Sequence, residues 1–306
     1  EEISHVARNR KGVFISKRKI ESLKETIDHI IKNYELIKED IKKNILPTKK
    51  NFIEELKTIV FKNWNNDKMT NTKMIILCGG RGKRMGSFTT NIPKPMIKIG
   101  GKPIIEHKIK YYQSRGIDKF IFCLGYKANI LKKFLIKKTN KSIFNNGGIK
   151  TGILKRIYLA KHNITSDTLI SYGDTLAKIN FKDLISKHKK SKCMITIVVA
   201  PIQNPFGLVN WNAKGRATKF DEKPILNHFI GYAVLSPNFF KNISKKIINL
   251  SDGKGVVQAI NYLIKKKEVN IYKFNDLQVT INSPAELKNA KVNYDKYFFL
   301  NETPQK

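Results

Sequence analysis

The sequence has few cysteines, few carboxylates and no long apolar run. Cys78, Cys123 and Cys193 are its only cysteines, and none has CxxC spacing. That leaves no disulfide framework and no cysteine metal site. The thiols, each inside an apolar strand-like run, read as buried and reduced, as in a cytosolic protein. No apolar stretch approaches the ~20 residues of a membrane span. The opening "EEISHVARNR" lacks the apolar core of a secretory leader, so a cytoplasmic protein without a membrane partner is expected. Acidic residues are scarce: 24 Asp and Glu face 59 Lys and Arg, for a net charge of +35. Such a balance can mark a nucleic-acid partner. Here the excess is mostly lysine, scattered singly or in pairs such as Lys132–Lys133 and Lys189–Lys190. Scatter of that kind describes a solvated surface better than a binding stripe, and it draws in small anionic substrates.

What is present divides in two. Residues 17–45 predict one long helix. Ile20, Leu23, Ile27, Ile30, Tyr34, Ile37 and Ile41 are spaced three and four apart, a heptad seam. Pro47 breaks it, a shorter amphipathic helix carries Phe52, Leu56, Ile59 and Val60, and 63–73 is a polar linker. The extension 1–72 packs as a hairpin on its own chain or serves as a coiled-coil-like arm. The regular seam favours the arm and a homo-oligomer. From residue 74 continuous apolar strands alternate with helices: "MIILC", "KFIFCLG", "DTLISYGD", "MITIVVA" and "FIGYAVL" are the strands. The fold class expected for 73–306 is α/β, a Rossmann-like, mostly parallel sheet with helices on both faces. Ligands of such sheets bind beyond the carboxyl ends of the strands. The loop after "MIIL" and the "YGD" elbow both fall there.

That loop, "LCGGRGKRMGSFTTNIPKPM" (77–96), gathers four glycines and two prolines around Arg81, Lys83, Arg84 and Lys94. It is not a P-loop, because Arg84 follows Gly82-Lys83 where Ser or Thr belongs. Nor is it a dinucleotide fingerprint, because Met85 replaces the third glycine. Glycines let backbone N–H groups approach an oxyanion closely, and Arg84 and Lys94 add fixed positive charge.

The pattern GGxGxRM followed by PKPM resembles the signature of the sugar-1-phosphate nucleotidylyltransferases. "IPKPMIKIGGKPIIEH", "CLGYKANILKKFL", "TGILKRI", "YGD" and "FDEKP" extend the likeness, in order, over roughly residues 74–290, toward the glucose-1-phosphate cytidylyltransferases. The resemblance implies a site. Leu77, Gly79, Gly80 and Gly82 would embrace the nucleotide, and Arg84 and Lys94 would hold the phosphates that leave as pyrophosphate. Thr151 and Gly152 would sit beside the base, Gly173 and Asp174 at the elbow with Asp174 on Mg²⁺, and Glu222 and Lys223 at the sugar phosphate. Where relatives often carry a second metal carboxylate, this chain has Asn282, which offers the metal one neutral oxygen. The resemblance also departs on the sugar side. "FIGYAVL" lacks a preceding Asn-Gly or Asn-Ala pair, and the long insertion before the TG motif is missing. The activity implied is condensation of an NTP, CTP by preference, with a sugar 1-phosphate. A cytidylyl- or guanylyltransferase for a heptose phosphate or a phosphonate stays open, as does a non-catalytic, RNA-binding relative.

Overall fold

The computed structural model describes residues 20–42, 69 and 71–294. The predicted second helix at 52–60 and most of the linker lie outside them. By backbone contacts the chain divides into two compact units, 1–66 and 67–306. In the first, α1 (Ile20–Lys32) and α2 (Tyr34–Lys42) follow one another directly. The Asn33 N–H donates to His29 O at 3.1 Å, and Ile37 N–H to Asn33 O at 3.0 Å, so helical bonding runs through the junction.

The second unit is built on a seven-stranded sheet in the order β12-β8-β11-β6-β1-β4-β5. Its strands are β1 (Lys73–Leu77), β4 (Lys119–Leu124), β5 (Ser142–Asn146), β6 (Thr168–Tyr172), β8 (Ile195–Gln203), β11 (Ile225–Leu235) and β12 (Val269–Lys273). All are parallel except β11, which runs antiparallel to both β6 and β8. Three small two-stranded sheets join β2 (Lys98–Ile99) to β3 (Lys102–Pro103), β7 (Thr175–Ala177) to β13 (Gln278–Thr280), and β9 (Leu208–Trp211) to β10 (Ala217–Asp221).

Alternation along each strand makes two cores, one on each face. Met74 and Ile76 of β1, with Phe120 and Phe122 of β4, meet α3 (Ile104–Ser114), α4 (Ala128–Ile136), α6 (Phe181–Ser191) and α9 (Pro284–Val292). Ile75, Ile121 and Ile170 meet α5 (Ile153–Leu159), α7 (Lys245–Ile248) and α8 (Lys254–Lys265) on the other face. Strands buried on both sides read as unbroken apolar runs, which is why they were visible in the sequence. Successive strands leave β1 first toward β4 and β5, then toward β6, so the order reverses beside β1. A crevice opens at the carboxyl ends of the strands at such a switch point.

Candidate active site

At the switch point the ends of β1 and β6 are tied together: the Gly173 N–H donates to the Leu77 carbonyl at 3.0 Å. A Cβ on Gly173 would lie 2.8 Å from that oxygen, so only glycine permits this approach. The chain then turns into β7, where Thr175 pairs with Thr280 of β13, and the Ile281 N–H donates to the Asp174 carbonyl at 3.0 Å. Two residues past Thr280 stands Asn282. A pairing across more than a hundred residues thus sets Asp174 and Asn282 side by side.

Opposite them lies the glycine loop. Gly82 adopts a left-handed φ of 68° and leads into a 3₁₀ turn, Lys83–Thr89, pinned by the buried Met85. The Thr89 hydroxyl donates back to the Gly82 carbonyl at 3.1 Å. Lys94, held by Pro93 and Pro95 in a second 3₁₀ turn, is largely buried. Its ammonium donates to Asp174 Oδ2 and, at 2.9 Å, to Asn282 Oδ1. Arg84 Nη2 donates to the same amide oxygen at 3.1 Å. Beneath the elbow, the fully buried Lys108 donates to the Thr175 carbonyl and, at 3.1 Å, to the Tyr232 hydroxyl. That hydroxyl donates to the same carbonyl at 2.9 Å. Burial, with help from the Asp174 charge, pushes the Tyr172 phenol up to about 12.

These groups line a cavity of about 730 Å³. Leu77, Gly79, Gly80, Gly82, Arg84, Lys94, Thr151, Gly173, Asp174 and Asn282 are all on its wall. Gly152 is not; it caps α5, where a Cβ would strike the Leu250 carbonyl. Glu222 and Lys223 are not on the wall either. They stand exposed just past β10, with Lys223 Nζ 3.7 Å from Glu222 Oε1. The wall adds residues that sequence reading missed. Arg156 lies under the loop against Gly79 and Gly125, and its Nη1 donates to the Leu124 carbonyl at 2.6 Å. Asp252, in a left-handed turn, is held by Ile153, whose N–H donates to its carbonyl at 2.8 Å. The one local signal that could have found Arg156 is its place as the single arginine of "TGILKRI", whereas nothing local marks Asp252.

Six cations (Arg81, Lys83, Arg84, Lys94, Lys150 and Arg156) and two carboxylates (Asp174 and Asp252) therefore line one crevice. That arrangement suits a polyanion brought against a carboxylate–amide pair. Among the described residues no group of three or more His, Cys, Asp or Glu could hold a metal by itself. Two protein oxygens do converge: Asp174 Oδ2 and Asn282 Oδ1 both lie within hydrogen-bond reach of the single Lys94 ammonium. Two oxygens close enough to share one cation fit a hard divalent ion that takes its other ligands from phosphate and water.

Comparison with known proteins agrees. The family model described as Nucleotidyl transferase matches residues 73–276. The probable glucose-1-phosphate cytidylyltransferase of Bacillus subtilis is 34% identical, covering 70% of this chain and 93% of its own. A mannose-1-phosphate guanyltransferase of Gibberella zeae is 27% identical over 56% of this chain and 50% of its own. Among solved structures, HddC from Yersinia pseudotuberculosis superposes with a TM-score of 0.57 at 22% identity, covering 73% of this chain and 99% of its own, a likeness of fold. Because the matched stretch carries the central sheet and most of the cation-lined wall, the chain belongs to the nucleotidyl transferase family and is a nucleotidyltransferase.

Proposed function

We propose that the protein is a Mg²⁺-dependent nucleotidylyltransferase that joins an NTP, CTP by preference, to a sugar 1-phosphate and releases pyrophosphate. The observation that carries this reading is the meeting of Asp174, Asn282, Lys94 and Arg84 across from the glycine loop. The acceptor's phosphate oxygen is already ionised near neutral pH, so no general base is needed. The task is to bring two polyanions together for in-line displacement at the α-phosphorus. Bound Mg²⁺ would supply charge neutralisation of the phosphates, with Asp174 and Asn282 as its protein ligands. Arg84 and Lys94 hold the β- and γ-phosphates and stabilise the charge that develops on the leaving pyrophosphate. Backbone N–H groups of Gly79, Gly80 and Gly82 are assigned to the triphosphate and Thr151 to the base, with Gly152 at the start of α5 next to it. Glu222 and Lys223, which stand exposed outside this cavity, are assigned to the acceptor on the resemblance of "FDEKP" alone.

A pyrophosphate-release screen of four NTPs against a panel of sugar phosphates, including heptose phosphates and a phosphonate, tests the reading and identifies both substrates. Preference for GTP would move the chain toward the guanylyltransferase side. In the active pair, Lys94→Ala should lower turnover by ~10²–10³, the usual loss on removing one such contact. A variant within a factor of two of the wild type would show that the loop does not hold the leaving group.

A further inference from the structure

Beneath the elbow lies a charge that the packing around it does not explain. Lys108, on α3, is fully buried. Everything it touches is neutral: the Thr175 carbonyl, the Tyr232 hydroxyl at 3.1 Å, and the rings of Tyr112 and Tyr232, whose centroids lie 5.3 and 5.0 Å from its Nζ. Among the described residues no carboxylate comes within ion-pair reach of that ammonium. Taking an ammonium out of water without a counter-charge is costly, and lysines are almost never fully buried unless paired.

The polar network around Lys108 does not need the charge. The Thr175 carbonyl also accepts from the Tyr232 hydroxyl at 2.9 Å. The Tyr232 oxygen lies 3.1 Å from the Tyr112 hydroxyl, which is itself bonded to Ser171 Oγ at 2.7 Å. With an apolar chain of similar length at position 108, each of these groups would keep a partner. What the ammonium alone adds is charge, and its place gives that charge a use. Thr175 directly follows Asp174, whose carboxylate is already matched by Lys94, so the charge of Lys108 is left over at this corner. Its field reaches the cavity wall. At Cys78, a wall residue, it opposes the burial that raises the thiol. At an effective dielectric of about 20, a unit charge roughly 10 Å from another shifts an equilibrium by about tenfold, and a diphosphate offers several charges.

We propose that Lys108 is a buried counter-charge for the phosphates bound in this cavity, attracting them from beneath the elbow without touching them. The proposal rests on the assignment of the cavity to phosphates. Lys108 differs from the exposed Lys83 and Lys150 of the wall in one measurable way: salt screens exposed charges, and a buried charge far less. The probe is inorganic pyrophosphate, bound to the full chain and followed by calorimetry at low and high potassium chloride, so that neither base nor acceptor enters. Lys108→Met should weaken binding about tenfold, by the same factor at both salt concentrations. Its thermal midpoint should stay level or rise, since an apolar chain replaces a buried charge. Tyr232→Phe removes a hydroxyl from the same network and leaves the charge. It should lower the midpoint, for a lost buried hydrogen bond, and keep the affinity within about twofold. Four results would overturn the proposal: a Lys108→Met protein that binds as tightly as the parent, a deficit that vanishes at high salt, a Lys108→Met protein that loses stability or folding along with affinity, or a Tyr232→Phe protein that loses as much affinity as Lys108→Met. The last two would make Lys108 a structural part of one network that holds the elbow. A parent with no measurable affinity for pyrophosphate would instead overturn the phosphate assignment of the cavity, and this proposal with it, so the two failures are told apart.

Discussion

At the scale of single residues, Asn282 is the position where chemistry is most exposed to test. Its amide oxygen accepts from both Arg84 and Lys94, so it already sits where positive charge gathers. If it is also a metal ligand, Asn282→Asp should lower the Mg²⁺ concentration needed for half-maximal rate, because a charged oxygen replaces a neutral one. Asp174→Asn should do the reverse and nearly abolish turnover. Paired Mg²⁺ titrations at fixed nucleotide decide it, and an unmoved curve for Asn282→Asp would remove residue 282 from the metal's shell. The thiols offer a second measurement. Burial pushes the Cys123 thiol up to about 12, and Cys78 is raised as well, its burial outweighing the nearby Lys108 charge. Both should resist a thiol reagent in the folded protein, leaving the half-buried Cys193 as the one group that reacts before denaturation. The residues legible in the sequence were those whose type announces a role, the loop glycines and their cations. Arg156 and Asp252 were not singled out, because their place on the wall depends on a helix and a turn nearly a hundred residues apart meeting at Ile153.

Elements were legible where burial imposes a pattern. β1, β4 and β6 are covered on both faces and so appear as apolar runs, and each falls within a residue or two of its expected limits. The direction of β11 was not legible, since its residues alternate the same way whichever way it runs, and only its partners β6 and β8 decide. The extension is the reverse case, a clear pattern whose seam is left half exposed on its own two described helices. Ile27, Tyr34 and Ile41 of its seam are 46%, 58% and 50% exposed on α1 and α2. We propose that residues 1–72 form an oligomerisation arm beside a catalytic domain at 73–306. Changing Ile27 and Ile37 to Asp should cost a few kcal/mol of association, in line with burying unpaired charge. Sedimentation should then show a smaller species that keeps its activity, and an unchanged mass would favour a seam covered within its own chain.

Across the whole molecule, the excess of positive charge makes acid an adversary of the fold. Two buried histidines sharpen this. His188 shares its ring nitrogens with the Thr196 hydroxyl at 2.8 Å and the Ser236 hydroxyl at 3.0 Å, and burial holds its pKa below the usual value against the opposing pull of Asp167. His107 is bonded through Nε2 to the Ile99 carbonyl at 2.9 Å, and burial lowers it too, with Lys102 and Lys110 adding to the effect. The unfolded chain takes up these protons near pH 6.5 while the folded chain still refuses them. More protons bound in the unfolded state means that stability rises with pH across that window. It is therefore fully present above about pH 6.5 and lost as the pH falls toward the folded values. Each proton finally accepted also adds to a charge that already repels itself. Thermal unfolding midpoints should decline between about pH 7.5 and about pH 5.5, and His188→Gln should flatten the decline. A midpoint that does not move over that interval would mean that neither ring is held neutral by the core.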